Sequence, residues 1–149
     1  YNREFFENNY QRLIETFKSE DMYFGLAMID IDNFKNINDS YGHNIGDEIL
    51  INLVSIINKF SRNDDILIRW GGEEFIIILK VSSEDRLNII LENIRKTIEK
   101  SKIDKLPTIT CSFGGTIYEN NEQINDTIKR ADEALYIAKA NGKNKVILK

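Results

Sequence analysis

The chain has 149 residues, 42% of them hydrophobic and 30% charged, with a net charge of −4. That balance suits one soluble domain with a real core, and it argues against a general nucleic-acid or membrane-surface binder. The single cysteine, Cys111, excludes an internal disulfide framework, and no apolar run approaches the roughly 20 residues that span a bilayer. Cys111 lies among apolar and small residues, so it reads as a buried structural thiol in a reducing cytoplasm. No signal peptide is visible. The sequence opens without Met, directly in a helical pattern, as a domain excised from a longer protein would.

Residues 2 to 18 predict an amphipathic helix on Phe5, Phe6, Leu13, Ile14 and Phe17. Tyr23 to Ile29 is a nearly continuous apolar run, the pattern of a central strand covered on both faces. It stops at Asp30-Ile31-Asp32. Two carboxylates ending a buried strand are costly without a cation or hydrogen-bond donors beside them. A hard divalent ion such as Mg²⁺ takes such oxygens together with phosphate oxygens. Asp32 could instead cap the short helix that follows, Phe34 to about Ser40, while Asp30 holds metal. Lys35 and Asn38 share a face of that helix. There they could meet phosphate and a base edge, or simply be solvated.

Tyr41 to Asp47 is a glycine-bearing turn leading into a helix with a wide apolar stripe from Ile45 to Phe60. Asp47 is expected in its first turn, where the helix dipole favours a carboxylate. His43, the only histidine, is assigned no chemistry. Arg62 and Asp65 stand three apart before the next strand and could pair locally.

Ile66–Trp70 and Phe75–Leu79 read as two strands around Gly71-Gly72, a tight hairpin turn in which glycine supplies positive φ. Just inside it lie Glu73 and Glu74. Strand alternation sends them to opposite faces, and the expectation is that Glu73 faces Asp30 and Glu74 does not do so equally.

Glu84 to Lys100 is a further amphipathic helix, with Arg95 on its polar face. Thr108 to Tyr118 alternates as a strand, and Gly114-Gly115 marks a bend or a close backbone approach. Ile124 to Ala140 is a helix, with Gly142 as its C-terminal stop. Lys139 and Lys143, at and past its end, could serve the dipole or meet phosphates. Lys145 to Leu148 closes the chain as a strand. The order α, β, α, α, β, β, α, β, α, β predicts an α+β, ferredoxin-like sandwich with a five-stranded mixed sheet and helices packed on it. No Gly-x-Gly-x-x-Gly turn follows the first strand, which excludes a Rossmann reading.

Asp30-Ile-Asp-Asn-Phe-Lys-Asn-Ile-Asn-Asp39, Tyr41-Gly-His-Asn-Ile-Gly-Asp47, Arg69-Trp-Gly-Gly-Glu-Glu-Phe75, Ser112-Phe-Gly114 and Arg130-Ala-Asp-Glu-Ala-Leu-Tyr-Ile-Ala-Lys139 with Gly142-Lys-Asn144 occur in the order seen in GGDEF domains. The sequence thus resembles the diguanylate cyclases of bacterial signalling over essentially its whole length. The resemblance implies a nucleotide-cyclase-like sandwich over residues 1–149. It implies GTP as substrate, with cyclic di-GMP and pyrophosphate as products.

By the same resemblance, Asp30, the main-chain carbonyl of Ile31 and Glu73 would hold Mg²⁺ (or Mn²⁺). Glu73 would draw the proton from the ribose 3′-hydroxyl, with Glu74 supporting metal or nucleotide. Asn38 and Asp47 would read guanine, and Lys35, Lys139 and Lys143 would meet the triphosphate. Arg62 and Asp65 match an Arg-x-x-Asp site that binds the product and inhibits the enzyme, and Arg95 resembles a further contact of that site.

The family's Asp-x-Leu-Thr-x-Leu-like segment would stand just before Asn2-Arg3. The resemblance therefore implies a missing N-terminal segment, and with it one wall of the nucleotide pocket. The reaction joins two GTP molecules held by two domains, so catalysis would require a homodimer. A single domain would be mostly monomeric and slow. An upstream sensory domain is implied, and the domain itself would be cytoplasmic, touching neither membrane nor nucleic acid. Two alternatives stand beside this reading: a non-catalytic module that binds GTP or cyclic di-GMP and signals to an attached domain, and a protein–protein module with no nucleotide.

Overall fold

The structure, a computed structural model, describes all residues 1–149. Helix α1 (Arg3–Ser19) starts at Asn2, whose side chain accepts from the Phe5 N–H at 2.9 Å, an N-cap that satisfies one of the helix's free amides. There follow β1 (Tyr23–Ile31), α2 (Phe34–Tyr41), α3 (His43–Phe60), β2 (Ile66–Arg69), β3 (Glu74–Val81), α4 (Glu84–Lys100), β4 (Cys111–Ile117), α5 (Ile124–Ala140) and β5 (Val146–Leu148). The five strands lie in the order β2-β3-β1-β4-β5. All neighbours are antiparallel except β4 and β5, which are parallel. The sheet is therefore mixed, as the element order predicted.

Alternation along the strands divides the core into two layers. Ala27, Ile29, Ile31, Phe75, Ile77, Leu79 and Phe113 pack with α2, α3 and α4. Phe24, Leu26, Met28, Ile66, Ile68, Ile76 and Ile78 pack with α1 and α5. Cys111 is fully buried, and burial pushes its thiol well above the ordinary range, as befits an inert thiol. No helix is long and apolar enough to cross a membrane.

Gly114 brings α5 onto the sheet. A Cβ there would lie 2.2 Å from the Ala131 carbonyl oxygen and 2.2 Å from the Leu135 nitrogen. The helix backbone therefore rests directly on β4, which is the close approach the Gly-Gly pair announced.

Four details differ from the sequence reading. Strand β1 continues through Asp30 and Ile31, so the acidic residues begin inside the ladder. Strand β4 begins at Cys111, later than Thr108. Helix α3 starts at His43, after Gly42 at φ 88, which leaves Asp47 beyond its first turn. Gly71 and Gly72 are not at positive φ. Their turn is closed by the Trp70 and Gly71 N–H groups, which donate to the Glu74 carbonyl at 2.9 and 3.2 Å. The Arg69 guanidinium also holds the Gly72 carbonyl, at 2.8 Å from one nitrogen.

Candidate functional site

The ends of β1 and β3 and the C-terminal end of α5 converge on Asp30. Its carboxylate is 5% exposed and accepts from the Lys139 ammonium. In the antiparallel ladder Asp30 pairs with Glu74. Directly opposed residues share a face, so Glu74, not Glu73, stands across from Asp30 on the α1/α5 side. Glu73 belongs to the turn, before the ladder begins, so strand alternation does not set its direction as expected. Glu73 is nonetheless near enough to act on Asp30.

Burial first, then the charges of Glu73 and Asp32, raise the Asp30 carboxyl above its ordinary range, against the pull of Lys139. Glu74 is raised likewise, by burial first, then by Asp30, Asp132 and Glu73, with Lys139 opposing. Nothing in the sequence pointed to Asp132 except its spacing of seven from Lys139, which sets both on one side of α5.

These carboxylates repel one another around a single ammonium, a state that a divalent cation relieves. The donors are all hard oxygens, the set that suits Mg²⁺ or Mn²⁺. No three carboxylate, imidazole or thiolate groups converge to enclose an ion by themselves.

Asp32 does not cap α2. The N-cap is Asn33, at φ 57 and without a side-chain cap bond. The Asp32 carboxylate, 4% exposed, instead accepts from Thr110 Oγ1 at 2.7 Å, Ser112 Oγ at 2.6 Å and the Asn144 N–H at 3.0 Å. The first turn of α2 has no side-chain cap, which leaves its backbone amides free for an anion. Lys35 is exposed in that turn. Lys143 reaches across to Asn33 Oδ1 at 2.6 Å. Lys139, Lys143 and Lys35 therefore border the acidic end.

Asn38 and Asp47 lie on the adjoining helices α2 and α3. The Asn38 Oδ1 is buried and has no hydrogen-bond partner. It fills the space beside Gly46, where a Cβ would lie 1.9 Å from it. Buried polar atoms are nearly always satisfied, so an orphan here marks a place for a ligand or solvent donor. Asp47 is exposed.

Arg62 and Asp65 do meet, but through backbone. The Arg62 N–H donates to Asp65 Oδ2 at 2.8 Å, and Asp65 Oδ1 accepts from the Lys80 N–H at 3.1 Å. This leaves the exposed Arg62 guanidinium without an ion pair. Arg95 is not brought to them. Its guanidinium binds Glu92 at 3.0 Å, Glu99 at 3.0 Å and Asn144 Oδ1 at 2.9 Å.

None of the four principal grooves is lined by Asp30, Glu73 or Glu74. One of them, of about 430 Å³, runs between α3 and β2, with Asp65 and Arg69 at its edge.

Residues 1–145 match the family model described as diguanylate cyclase, GGDEF domain. The chain is 43% identical over 124 residues to diguanylate cyclase DgcM of Escherichia coli K12, covering 83% of this chain and 30% of that protein. It is 43% identical over 127 residues to diguanylate cyclase A of Treponema denticola, covering 83% and 34%. It thus spans about a third of the length of these curated relatives. Among solved structures, the active GGEEF domain of a diguanylate cyclase from Vibrio cholerae superposes with a TM-score of 0.89 at 31% identity, covering 99% of this chain and 96% of that one. The GGDEF domain of DgcB from Caulobacter crescentus, solved with c-di-GMP, gives 0.91 at 30% identity over 99% and 90%. With the family model matched over nearly its whole length, the chain belongs to the GGDEF domain family.

Proposed function

We propose that the chain is the catalytic domain of a diguanylate cyclase, which condenses two GTP into cyclic di-GMP and two pyrophosphates. The observation that carries this reading is the under-compensated pair of carboxylates Asp30 and Glu74, opposed across the β1–β3 ladder, with Glu73 in the adjoining turn. It lies beside lysines and uncapped helix amides, at the point where a nucleotide triphosphate needs both a cation and positive charge.

Asp30, the Ile31 carbonyl and Glu73 would hold Mg²⁺ or Mn²⁺, which would supply neutralisation of the charge developing on the α-phosphate and its leaving pyrophosphate. Lys35, Lys139 and Lys143 position the triphosphate, and Asn38 and Asp47 read the guanine edge. Glu73 takes the proton of the ribose 3′-hydroxyl as that oxygen attacks the α-phosphorus of the GTP on the partner copy. Glu74 supports the nucleotide or the ion from the adjacent position. Two copies, each with one GTP, make the reaction complete. A sensory domain upstream brings the copies together in the cytoplasm, where GTP is supplied. Arg62 and Asp65 offer a product-binding site, to which the free guanidinium of Arg62 contributes a phosphate fork.

The test is cyclic di-GMP formation from GTP and Mg²⁺ by two fused copies of the chain, compared with the same fusion carrying Glu73→Gln. Product from the first and a loss of about a hundredfold or more in the second are expected. Equal rates would overturn the role of Glu73. Tight GTP binding without any product would favour the non-catalytic module.

A further inference from the structure

The turn after α5 carries Lys143, and its backbone is unusual. Lys143 and Asn144 are consecutive non-glycine residues at φ 62 and 45. Such conformations are costly and persist only where the surroundings over-determine them. Two independent sets of bonds do so. From the sheet side, the buried Asp32 carboxylate accepts from the Asn144 N–H at 3.0 Å while Thr110 and Ser112 fix its oxygens. From α4, the Asn144 side chain is held at both ends. Its oxygen accepts from Arg95 at 2.9 Å, and its nitrogen donates to Glu99 Oε1 at 2.8 Å. Arg95 is itself fixed by Glu92 and Glu99, and its side chain is only 13% exposed.

We propose that Asp32 and Arg95 are positioning residues, which lock the Lys143–Asn144 turn in its left-handed form and so present Lys143 to the phosphates of the bound nucleotide. The assignment rests on the reading of the acidic end as a GTP site. It also gives Arg95 a role on the substrate side of the domain.

The geometry explains why the device uses these residue types. A carboxylate accepts several bonds at once, and Asp32 uses three. A guanidinium has five donors in a rigid fork, so it can grip two glutamates and still reach an amide oxygen. Asparagine tolerates the left-handed region better than most residues and supplies both an acceptor and a donor.

The experiment uses the full chain with Asp32→Asn, Arg95→Met, Lys143→Ala and the Asp32→Asn/Lys143→Ala pair. GTP and guanosine binding are measured by calorimetry, and amide hydrogen exchange is measured without ligand. Asp32→Asn and Arg95→Met are each expected to weaken GTP about tenfold, as loss of an aligned charge-assisted contact would. Guanosine binding should be unchanged. The double variant should bind GTP no more weakly than Lys143→Ala alone, because coupled residues are not additive. The Asn144 amide should exchange faster in Asp32→Asn while β1 and β4 stay protected.

Equal loss of GTP and guanosine affinity, additive losses in the double variant, or uniform acceleration of exchange would each overturn the proposal. Absence of GTP binding by the unsubstituted chain would instead overturn the nucleotide site. The exchange result would then still decide whether Asp32 holds the turn.

Discussion

Helix α5 connects two carboxylate clusters at opposite ends of β4, and they are built on contrary principles. At the far end Glu122 is fully answered. It accepts from Arg130 through both carboxylate oxygens at 2.8 Å, from Thr127 at 2.7 Å and from the Glu119 N–H at 2.7 Å. The Arg130 hydrogen bonds above all hold its carboxyl down at about 2. At the near end Asp30 and Glu74 share one ammonium, and burial and carboxylate repulsion, that of Glu73 included, raise both. A carboxylate whose bonds are satisfied stabilises the fold. One left under-compensated on a buried strand end costs stability and marks a place where charge is to arrive with a ligand.

The largest effect should come from the contact that serves both clusters. Gly114→Ala drives a methyl into the α5 backbone. A loss of about 3 kcal/mol or more in denaturant unfolding is expected, with lattice-free repacking too limited to absorb it. Next, Arg130→Met leaves the half-buried Glu122 without its partner and frees the Ile117 carbonyl that Arg130 holds at 2.8 Å. A loss of about 2 to 3 kcal/mol is expected, with the Asp30 end undisturbed.

The third effect is in pH. The Glu122 carboxyl is lowered in the folded chain from 4.5 to about 2. Its contribution is therefore complete above the unfolded value and lost as pH falls through that window. Its side chain is 14% exposed, so solvent screening reduces the contribution to about 2 kcal/mol. Glu122→Gln should flatten the acid limb of the stability curve. Asp30 and Glu74 carry the opposite sign. Raised carboxyls make the folded state bind more protons than the unfolded one, so their penalty grows as pH rises through the interval and is relieved below it. Smallest is Glu74→Gln, which removes one repelling charge. Thermal melting without metal should show a gain of up to about 1 kcal/mol. A loss would break the contrast with Glu122.

Most of the architecture was legible because buried strands and amphipathic helices carry their periodicity in sequence. The five-stranded mixed sheet and the order of all elements follow from the apolar runs alone. The candidate site was legible as residue types, since Asp30, Glu73, Glu74 and the lysines sit in compact motifs.

What the pattern did not reveal was set by tertiary contact. The role of Asp32 depends on Thr110, Ser112 and Asn144, about 80 to 110 positions away. Arg95, expected beside Arg62 and Asp65, is instead held by Glu92 and Glu99 on its own helix and by Asn144 from the far end of the chain. The pairing of Glu74 with Asp30 is a matter of register, and one residue of difference in where a strand begins exchanges the two faces.

The central claim is that the Asp30 end is kept under-compensated for a cation that arrives with GTP. The most direct measurement is the melting temperature of the chain and of Asp30→Asn, with and without GTP and Mn²⁺ together. The account predicts a clear rise for the unsubstituted chain, by the linkage that any ligand specific for the folded state imposes. It predicts no rise for Asp30→Asn and reversal by EDTA. The same rise in both chains, or none in either, would contradict it.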